Sequence, residues 1–481
     1  MRALVTGTKT PASLFAVRRL AGLGFEITAA CYTRWDYWAY SNAVKKRIRV
    51  PALHDNPKAF AEAILAELGT GRYDAYISTF EEGYLMSYYQ DEIRRRVKYI
   101  SMPFADVMNM YDKGLMTAAA ERAGVPVPDP TFVPASYGEL DQIFRQVDYP
   151  VIIKLRQACD AHGQRLVRDA GNLAAEYLKL VSEYGLAENE LPIIQRFLPG
   201  TLICTSGFAV DGKLVGHMAF KALRTYPRQG GTSAYKEIVD CPKALQYDSA
   251  LARSRGWTGF ISCDYLTDQH SDEVYLIDCN PRMVPGLAMG YHAGADLVGA
   301  YADLLQGQQI RPLYNPSPGS RGRMQFIDLG WLLDTFLDGK MTIRQKLVVW
   351  KKWLNRGGHI IDDVLSWKDP MPGLVLYAFV FTRLRRLLSK SGGEMFLSHG
   401  LFNGRLVAEL IEAEKRDKRS AGEAVAAAQV AAVRVQETAA AQHVVAERGA
   451  VAQAAVVQST REVAAGKEQE KEVVEKEVVA R

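Results

Sequence analysis

The sequence predicts a doubly wound α/β domain at the N-terminus, a larger α+β body after it, and a helical C-terminal extension. Three patterns support this division. Short β-branched runs alternate with amphipathic helical runs over residues 1–108, which is typical of strands wound with helices. Residues 109–310 carry longer strand patterns and hairpin turns, whereas residues 311–415 are basic, apolar and helical in pattern. Residues 416–481 form a low-complexity tail rich in Ala, Val, Glu and Lys.

Composition excludes several classes of protein. With 481 residues and 48% hydrophobic side chains, the protein is able to bury more than one core. A net charge of +5 is small for this length, so no nucleic-acid partner is expected. The six cysteines are scattered without a CxxC pair, which favours a reducing, cytoplasmic setting. No stretch approaches the roughly 20 apolar residues of a membrane-spanning helix, and the N-terminal apolar run is too short for a signal peptide.

The first domain is predicted from alternating strand and helix patterns. The expected elements, in order, are a strand at Ala3–Thr6, a helix at Ser13–Leu23, a strand at Ile27–Cys31, a helix at Pro57–Leu68, a strand at Ala75–Ser78 and a last segment at Tyr99–Ser101. The turn Gly7–Thr10 lacks the GxGxxG pattern, so a dinucleotide-dependent oxidoreductase is disfavoured. Glu81 and Glu82 follow a strand end, where they are either substrate contacts or ordinary helix-start acids.

Two lysines stand out at the start of the second segment. Lys113 lies in the first turn of a helix that runs from Asp112 to about Ala123, where solvation alone would also explain it. Lys154 ends the β-branched strand that begins at Val151. A lysine on a buried strand is costly unless an anion meets it, so a phosphate partner is expected. The loop Arg156–Gln164 that follows has the position of a lid over such a phosphate.

A third strand pattern, Pro192–Gly200, ends abruptly. A backbone that leaves the sheet at Arg196–Leu198 can present N–H and C=O groups to a planar heterocycle. Phe197 would supply apolar surface, and Gln195 can both donate and accept hydrogen bonds. This strand end is therefore expected to bind a flat ring.

A hairpin of Gly259–Leu266 and Val274–Asn280 is the sharpest feature. Because side chains alternate across a strand, the predicted pairing places Asp264 opposite Asp278, with Asn280 two residues further on. These three oxygen ligands suit a magnesium–polyphosphate complex. The alternative is a solvated hairpin with its acids in water. The neighbouring residues of both strands are largely apolar, so two carboxylates among them need a partner.

The segment Lys221–Val239 is basic and rich in turn residues. Arg224, Arg228 and Lys236 would lie on it, and we expect a loop that faces an anion. A mobile surface loop explains the same composition.

The ordered set of these motifs resembles the ATP-grasp superfamily, in particular the branches related to carbamoyl-phosphate synthase and to carboxylate–amine ligases. The motifs that carry the resemblance are Asp112-Lys113, Val151–Lys154, Gln195–Leu198, Asp264 and Asp278-Cys279-Asn280-Pro281-Arg282. It covers residues 1–310, with 1–108 similar to the preATP-grasp domain and 109–310 to the catalytic ATP-grasp fold.

The resemblance implies a binding or catalytic role for each of these residues. Lys113 and Lys154 would bind the phosphates of ATP, with Arg224 among the cofactor-binding residues. The adenine hinge would be Gln195, Arg196, Phe197 and Leu198. One or two Mg²⁺ (or Mn²⁺) ions would be held by Asp264, Asp278 and Asn280. Arg282 and Lys154 would be the catalytic residues, steadying the transferred phosphoryl group.

The implied reaction is an ATP-dependent ligation of two small molecules. A substrate carboxylate would attack the γ-phosphate to give an acyl-phosphate, which an amine would then convert to an amide. The competing hypothesis is a nucleotide-binding regulatory or scaffold protein with this fold and little turnover. ADP release on addition of candidate acids separates the two.

Two interpretations also compete for residues 311–415. The segment is either a helical appendage packed on the body, or a membrane-surface anchor through residues 340–388, at the inner face of a membrane. The features that suit the second are tryptophans beside lysines in Lys340–Arg356, followed by the apolar run Gly373–Phe381. The tail beyond 416 is expected to be a weak coiled coil or a partly helical disordered segment.

Overall fold

The computed structural model describes residues 1–158, 162–226, 228, 231–268, 273–314, 316–339, 341–354, 360–382 and 400–478. Two compact units result, Met1–Val407 and Ala408–Arg481. The boundaries expected at 108, 310 and 415 stay predictions. No helix in the described ranges is both long and apolar enough to cross a membrane.

A four-stranded parallel sheet begins the fold. Its elements and the helices after it are β1 (Arg2–Thr6), α1 (Pro11–Gly22), β2 (Glu26–Cys31), β3 (Val44–Arg49), α2 (Pro57–Leu68), β4 (Ala75–Ser78), α3 (Glu82–Tyr88), α4 (Gln90–Arg94) and α5 (Phe104–Tyr111). The strand order is β3-β2-β1-β4, so the carboxyl ends of β1 and β4 meet at one edge. The helix expected at 57–68 and the strand at 75–78 are confirmed, whereas Tyr99–Ser101 forms no strand.

A second, smaller sheet is antiparallel. Its elements are α6 (Lys113–Arg122), β5 (Thr131–Phe132), α7 (Leu140–Gln146), β6 (Val151–Lys154), β7 (Arg165–Val167), α8 (Ala170–Tyr184) and β8 (Ile193–Arg196). The strand order is β5-β8-β6-β7. Leu173, Tyr177 and Leu180 of α8 pack with Val151 and Ile153 of β6 in one hydrophobic core. This core holds rigid the strands that carry Lys154 and Gln195.

The largest sheet has seven strands. The remaining elements through residue 382 are β9 (Leu202–Val210), β10 (Lys213–Tyr226), β11 (Thr232–Val239), α9 (Pro242–Ser254), β12 (Gly259–Thr267), β13 (Val274–Asn280), α10 (Leu287–Ala293), α11 (Leu297–Gln306), β14 (Arg321–Arg323), α12 (Gln325–Leu337), α13 (Ile343–Leu354), β15 (Ile360–Asp362) and α14 (Met371–Thr382). Their order in the sheet is β13-β12-β9-β10-β11-β14-β15. Asp211 and Gly212 join β9 to β10 with φ values of 49° and 77°, the left-handed conformation of a tight hairpin turn.

The segment Lys221–Val239, expected to be a loop that faces an anion, is strand over most of its length. Residues 221–226 end β10 and residues 232–239 are β11, and the two strands pair from Ala219 with Val239 to Tyr226 with Thr232. Residues 227, 229 and 230 lie outside the described residues. The cations of the segment are bound within the protein. Arg224 donates to both carboxylate oxygens of Asp328 (2.6 and 2.9 Å), and Lys236 Nζ lies 2.5 Å from Asp363 Oδ2.

The extension beyond 310 is helical in part and contributes two strands. β14 pairs with β11, and β15 pairs with β14, so this segment continues the large sheet. Five basic positions at the ends of its basic and apolar runs lie outside the described residues: Lys340, Arg356, Arg383, Arg385 and Arg386. The C-terminal tail belongs to a 75-residue helix, α15 (Gly404–Val478), rather than a partly helical segment.

The pair Lys236–Asp363 gives the first prediction. Both side chains are fully buried, so Asp363→Ala leaves an ammonium group in the core without its carboxylate. We expect the free energy of unfolding to fall by about 3 kcal/mol, measured by urea denaturation. The half-exposed pair Arg228–Asp338 provides the control, because Asp338→Ala should cost under about 1 kcal/mol. Equal losses in the two variants would contradict the burial of the first pair.

Candidate active site

A cavity of about 860 Å³ lies between the small antiparallel sheet and the large sheet. Ten of the residues selected from the sequence line it: Lys113, Lys154, Gln195, Arg196, Phe197, Leu198, Asp264, Asp278, Asn280 and Arg282. Arg224, expected among the cofactor-binding residues, does not line it, because its guanidinium group is held by Asp328 and stacks over Tyr235 at 4.2 Å. The sequence-based assignment of Arg224 is therefore wrong.

The acidic hairpin has the expected register. β12 and β13 are antiparallel, with Asp264 opposite Asp278 and Ser262 opposite Asn280. A bulge between Asp264 and Tyr265 follows directly after this pair. Residues 269–272 of the connecting turn lie outside the described ranges. The two carboxylates therefore face each other on neighbouring strands, at the wall of the cavity.

The electrostatics of this pair suit a cation. Burial and the carboxylate of Asp278 raise the pKa of Asp264 to about 6, since two adjacent negative charges away from water repel each other. Lys113 offsets part of that charge, with its Nζ 3.0 Å from Oδ1 of Asp278. Two carboxylates and the amide oxygen of Asn280 form a hard oxygen set that fits Mg²⁺ or Mn²⁺. The described ranges contain no group of three or more His, Cys, Asp or Glu residues that could hold a metal, and this set has two such residues beside an amide.

Asp112 fixes the position of Lys113. Its Oδ1 accepts hydrogen bonds from the N–H groups of Gly114 (3.0 Å) and Leu115 (3.1 Å), which caps the first turn of α6. Arg156 Nε donates to the same carboxylate at 2.9 Å and so ties the start of the expected lid to the helix. Lys113 Nζ also donates to the carbonyl of Ala158 at 2.8 Å. Residues 159–161 of that lid lie outside the described residues.

Lys154 lies at the end of β6, and its Nζ donates to Oε1 of Gln195 at 2.9 Å. The amide nitrogen of Gln195 in turn donates to Oγ1 of Thr131 at 3.0 Å, which fixes the orientation of the amide. Burial, together with the positive charge of Lys113, lowers the pKa of Lys154 to about 8. Lys154 is thus held charged at neutral pH at a cost, ready to meet an anion.

The hinge strand differs from the expectation in one respect. The N–H of Arg196 donates to the carbonyl of Pro130, and that of Phe197 to the carbonyl of Pro150, both at 3.0 Å. The N–H groups of Arg196 and Phe197 are therefore already hydrogen-bonded within the protein. Leu198 is the first residue of this strand end whose N–H makes no hydrogen bond among the described residues. It is followed by Pro199, and both line the cavity.

Arg282 follows the end of β13 by two residues. Its guanidinium group lies 4.3 Å from the ring centroid of Phe80 and 3.6 Å from Oε1 of Glu81. Glu81 also accepts a hydrogen bond from the N–H of Phe402 at 2.8 Å, so it positions Arg282 rather than lining the cavity. Glu82 is structural, because it accepts from the N–H groups of Thr79 and Phe80.

Lys9 is a cavity residue that the sequence patterns do not single out. It follows β1, is 3% exposed, and its Nζ lies 3.4 Å from Oδ1 of Asp36. In the sequence, the turn that contains it, Gly7–Thr10, is considered only as a dinucleotide-binding motif. Its position at the carboxyl end of a central parallel strand is the signal that could have identified it.

The extension also reaches the cavity. α12 and α14 supply much of its apolar lining, including Phe326, Leu333 and Tyr377. No local pattern identifies these helices as part of a site, because their apolar residues also suit ordinary packing.

One curated protein is similar to part of this sequence. The C-terminal section of the carbamoyl phosphate synthase large subunit from Methanopyrus kandleri is 22% identical over 199 residues, which is 39% of this chain and 35% of that protein. The matched region thus spans about a third of the length of this curated relative. No family model matches the sequence.

Solved structures give a broader likeness. The biotin carboxylase domain of Hydrogenobacter thermophilus 2-oxoglutarate carboxylase superposes with a TM-score of 0.55 at 16% identity, covering 66% of this chain and 71% of that one. The Staphylococcus aureus N5-carboxyaminoimidazole synthetase gives 0.52 at 14% identity over 66% and 80%. The Bacillus licheniformis L-amino acid ligase gives 0.51 at 13% identity over 65% and 78%. These likenesses show a shared fold.

The opposite effects of Lys154 and Lys113 on the stability of the fold give the second prediction. The pKa of Lys154, about 8, lies below its ordinary 10.5, so the unfolded protein binds more protons between those values and stability rises with pH there. Below pH 8 Lys154 is charged in the folded protein, and the full free-energy cost of burying that charge remains. Lys154→Met should therefore raise the free energy of unfolding at pH 7 by about 1–3 kcal/mol and abolish this rise.

Lys113→Met is the matched control. It removes the ion pair with Asp278 and should lower stability at the same pH. Urea denaturation of both variants between pH 7 and 10 measures the difference. Destabilisation by Lys154→Met at pH 7 would contradict the prediction.

Proposed function

We propose that this protein, whose ATP-grasp fold the comparisons show, is an ATP-dependent ligase that activates a substrate carboxylate as an acyl-phosphate and joins it to an amine. The observation that carries the proposal is one cavity lined by Lys113, Lys154 and the facing carboxylates of Asp264 and Asp278. A site of this kind has cations for phosphates and hard oxygen ligands for a metal, and it holds them on two separate sheets.

The nucleotide would lie between these sheets. Phe197 and Leu198 offer apolar surface for the heterocycle, and the N–H of Leu198 would donate to it. Lys113 and Lys154 would bind the phosphates, since each carries an ammonium group at the cavity wall. Gln195 orients Lys154 through their 2.9 Å hydrogen bond.

Asp264, Asp278 and Asn280 would hold Mg²⁺ or Mn²⁺. When bound, the metal would neutralise charge on the phosphates. The residues fit this role because burial, and then repulsion by Asp278, raise the pKa of Asp264, and a nearby cation relieves both effects. Lys113, paired with Asp278 at 3.0 Å, would then link the metal site to the phosphate site.

The protein's own residues would act by positioning and by charge. Arg282, steadied by Glu81 and Phe80, would contact the transferred phosphoryl group together with Lys154. The carboxylate oxygen would form a bond to the γ-phosphorus as the bond to ADP breaks, giving the acyl-phosphate. An amine would then attack the acyl carbon, releasing phosphate and a proton and leaving an amide.

ADP release tests this proposal. With Mg²⁺, ATP and a panel of acids and amines, we expect acid-dependent release of ADP, reduced at least about 100-fold by Asp278→Asn. Asp338→Asn, on the surface, should leave the rate unchanged. Calorimetric binding of ATP without any acid-stimulated ADP release would instead establish the competing function, a nucleotide-binding scaffold.

We also propose that α13 contacts an anionic membrane surface. None of its residues is buried, and Ile343, Leu347, Trp350 and Leu354 recur at helical spacing with exposures of 79, 50, 43 and 45%. At 100° per residue, Arg344 and Lys351 lie beside this stripe. Ile343–Leu354 contains basic residues but no Asp or Glu. A tryptophan-bearing apolar stripe flanked by cations suits the interfacial zone of a lipid bilayer.

Vesicle flotation measures this contact. With vesicles containing an anionic lipid, Leu347→Asp should lower the fraction of floating protein at least several-fold, because a charge replaces apolar contact area. Val425→Asp is the control, since it makes the same change at an exposed position of α15. Equal flotation of the wild type and Leu347→Asp would rule out the contact.

A further inference from the structure

We infer that the acid substrate is an amphiphile, a carboxylate joined to an extended apolar group that lies along α12 and α14. The inference rests on the proposed ligase function and names the class of acid that this site takes. It is carried by the part of the cavity lining that α12 and α14 supply.

The first observation is an apolar wall. Phe326, Ile327, Leu329, Leu333 and Leu337 of α12 all line the cavity, with Asp334 the one charged residue of that helix among them. At about 1.5 Å per residue, this wall extends for about 16 Å from its first to its last side chain. Leu329, Leu333 and Leu337 are 38, 44 and 73% exposed, so the wall becomes more open to water toward the end of the helix.

The second observation is that the wall faces other apolar groups. Tyr377 and Val380 of α14 and Phe220 of β10 line the same cavity. The rings of Phe326 and Tyr377 meet edge-on with centroids 6.3 Å apart. A polar substrate would leave this surface in contact with water, whereas an apolar group would cover it on both sides.

The third observation is a cation at the inner end. Lys9 is 3% exposed, lines the cavity, and lies 5.7 Å from the ring centroid of Phe379 on α14. Its neighbour Asp36 also accepts hydrogen bonds from the N–H groups of Tyr32 (2.7 Å) and Thr33 (2.8 Å). The ammonium group of Lys9 therefore lies at the cavity lining next to α14, where the carboxylate of an amphiphile can approach it.

The arrangement has a direction. Leu337 is 73% exposed and opens to water beside Asp334, whereas Lys9 is 3% exposed; Arg282 and the paired carboxylates line the same cavity. A molecule with an anionic head and an apolar tail matches this order. Its head would reach the phosphate end of the cavity while its tail stayed on α12.

Direct binding tests the inference without turnover. The probe is dansyl-labelled undecanoic acid, whose fluorescence rises in an apolar site, titrated against the full-length protein. We expect saturable binding that Leu333→Gln weakens about tenfold, because a polar amide replaces apolar contact. Phe336→Gln is the control, since Phe336 is exposed on the same helix but does not line the cavity. Binding should change less than twofold.

The head group is tested by Lys9→Met. This variant should weaken binding of the labelled acid at least about fivefold and leave binding of its methyl ester unchanged, because only the acid carries a charge. Absence of saturable binding, equal losses in Leu333→Gln and Phe336→Gln, or equal losses for acid and ester would each overturn the inference.

Turnover separates this inference from the proposed function. For a series of unbranched acids with ATP and Mg²⁺, kcat/KM for ADP release should rise roughly fourfold per methylene while the apolar tail is still covering the wall. Probe binding without ADP release from any acid would overturn the ligase proposal but not the amphiphile. Release stimulated only by short polar acids, without probe binding, would overturn the amphiphile and leave the ligase.

Discussion

The free-energy cost of burying charged side chains is the constraint on which the candidate site depends. Asp264 and Asp278 face each other on paired strands, and Lys113 and Lys154 occupy the same cavity wall. Each charge reduces the cost of another, as in the 3.0 Å pair between Lys113 and Asp278. The compensation is incomplete, because burial still lowers the pKa of Lys154 and raises that of Asp264. A polyanion with a divalent cation would supply the charges that complete it.

The acidic hairpin and the Lys154 strand could be predicted because their determinants are local. A period of two in two short strands fixes which residues share a face, and hairpin geometry then fixes which residues are opposite. Arg224 and Lys236 could not be assigned in this way. Their partners, Asp328 and Asp363, lie about a hundred residues further along the sequence, and only the folded sheet brings them together. A basic segment that binds its own protein has the same local pattern as one that binds a ligand.

The parallel sheet shows the same limit. α2 and β4 have strong apolar periodicity, which predicts them with their bounds, whereas β3 has no such pattern and escapes prediction. Its sequence, Val44–Arg49, is mostly charged and half-exposed because it forms an edge of the sheet. Lys9 escapes prediction for a related reason. A single lysine after a strand carries no pattern, and its place in the cavity depends on α14, which follows it by more than 350 residues.

The extension beyond residue 310 connects these points. Its strands β14 and β15 lengthen the large sheet, and the buried pair Lys236–Asp363 joins it to β11. With that attachment satisfied, α12 still presents leucines to an open cavity, and α13 presents an apolar stripe to water. Stability alone would favour covering both surfaces. Because the nucleotide end of the cavity is accounted for by the two sheets, the uncovered surface of α12 points to the second substrate, and that of α13 to a separate apolar partner.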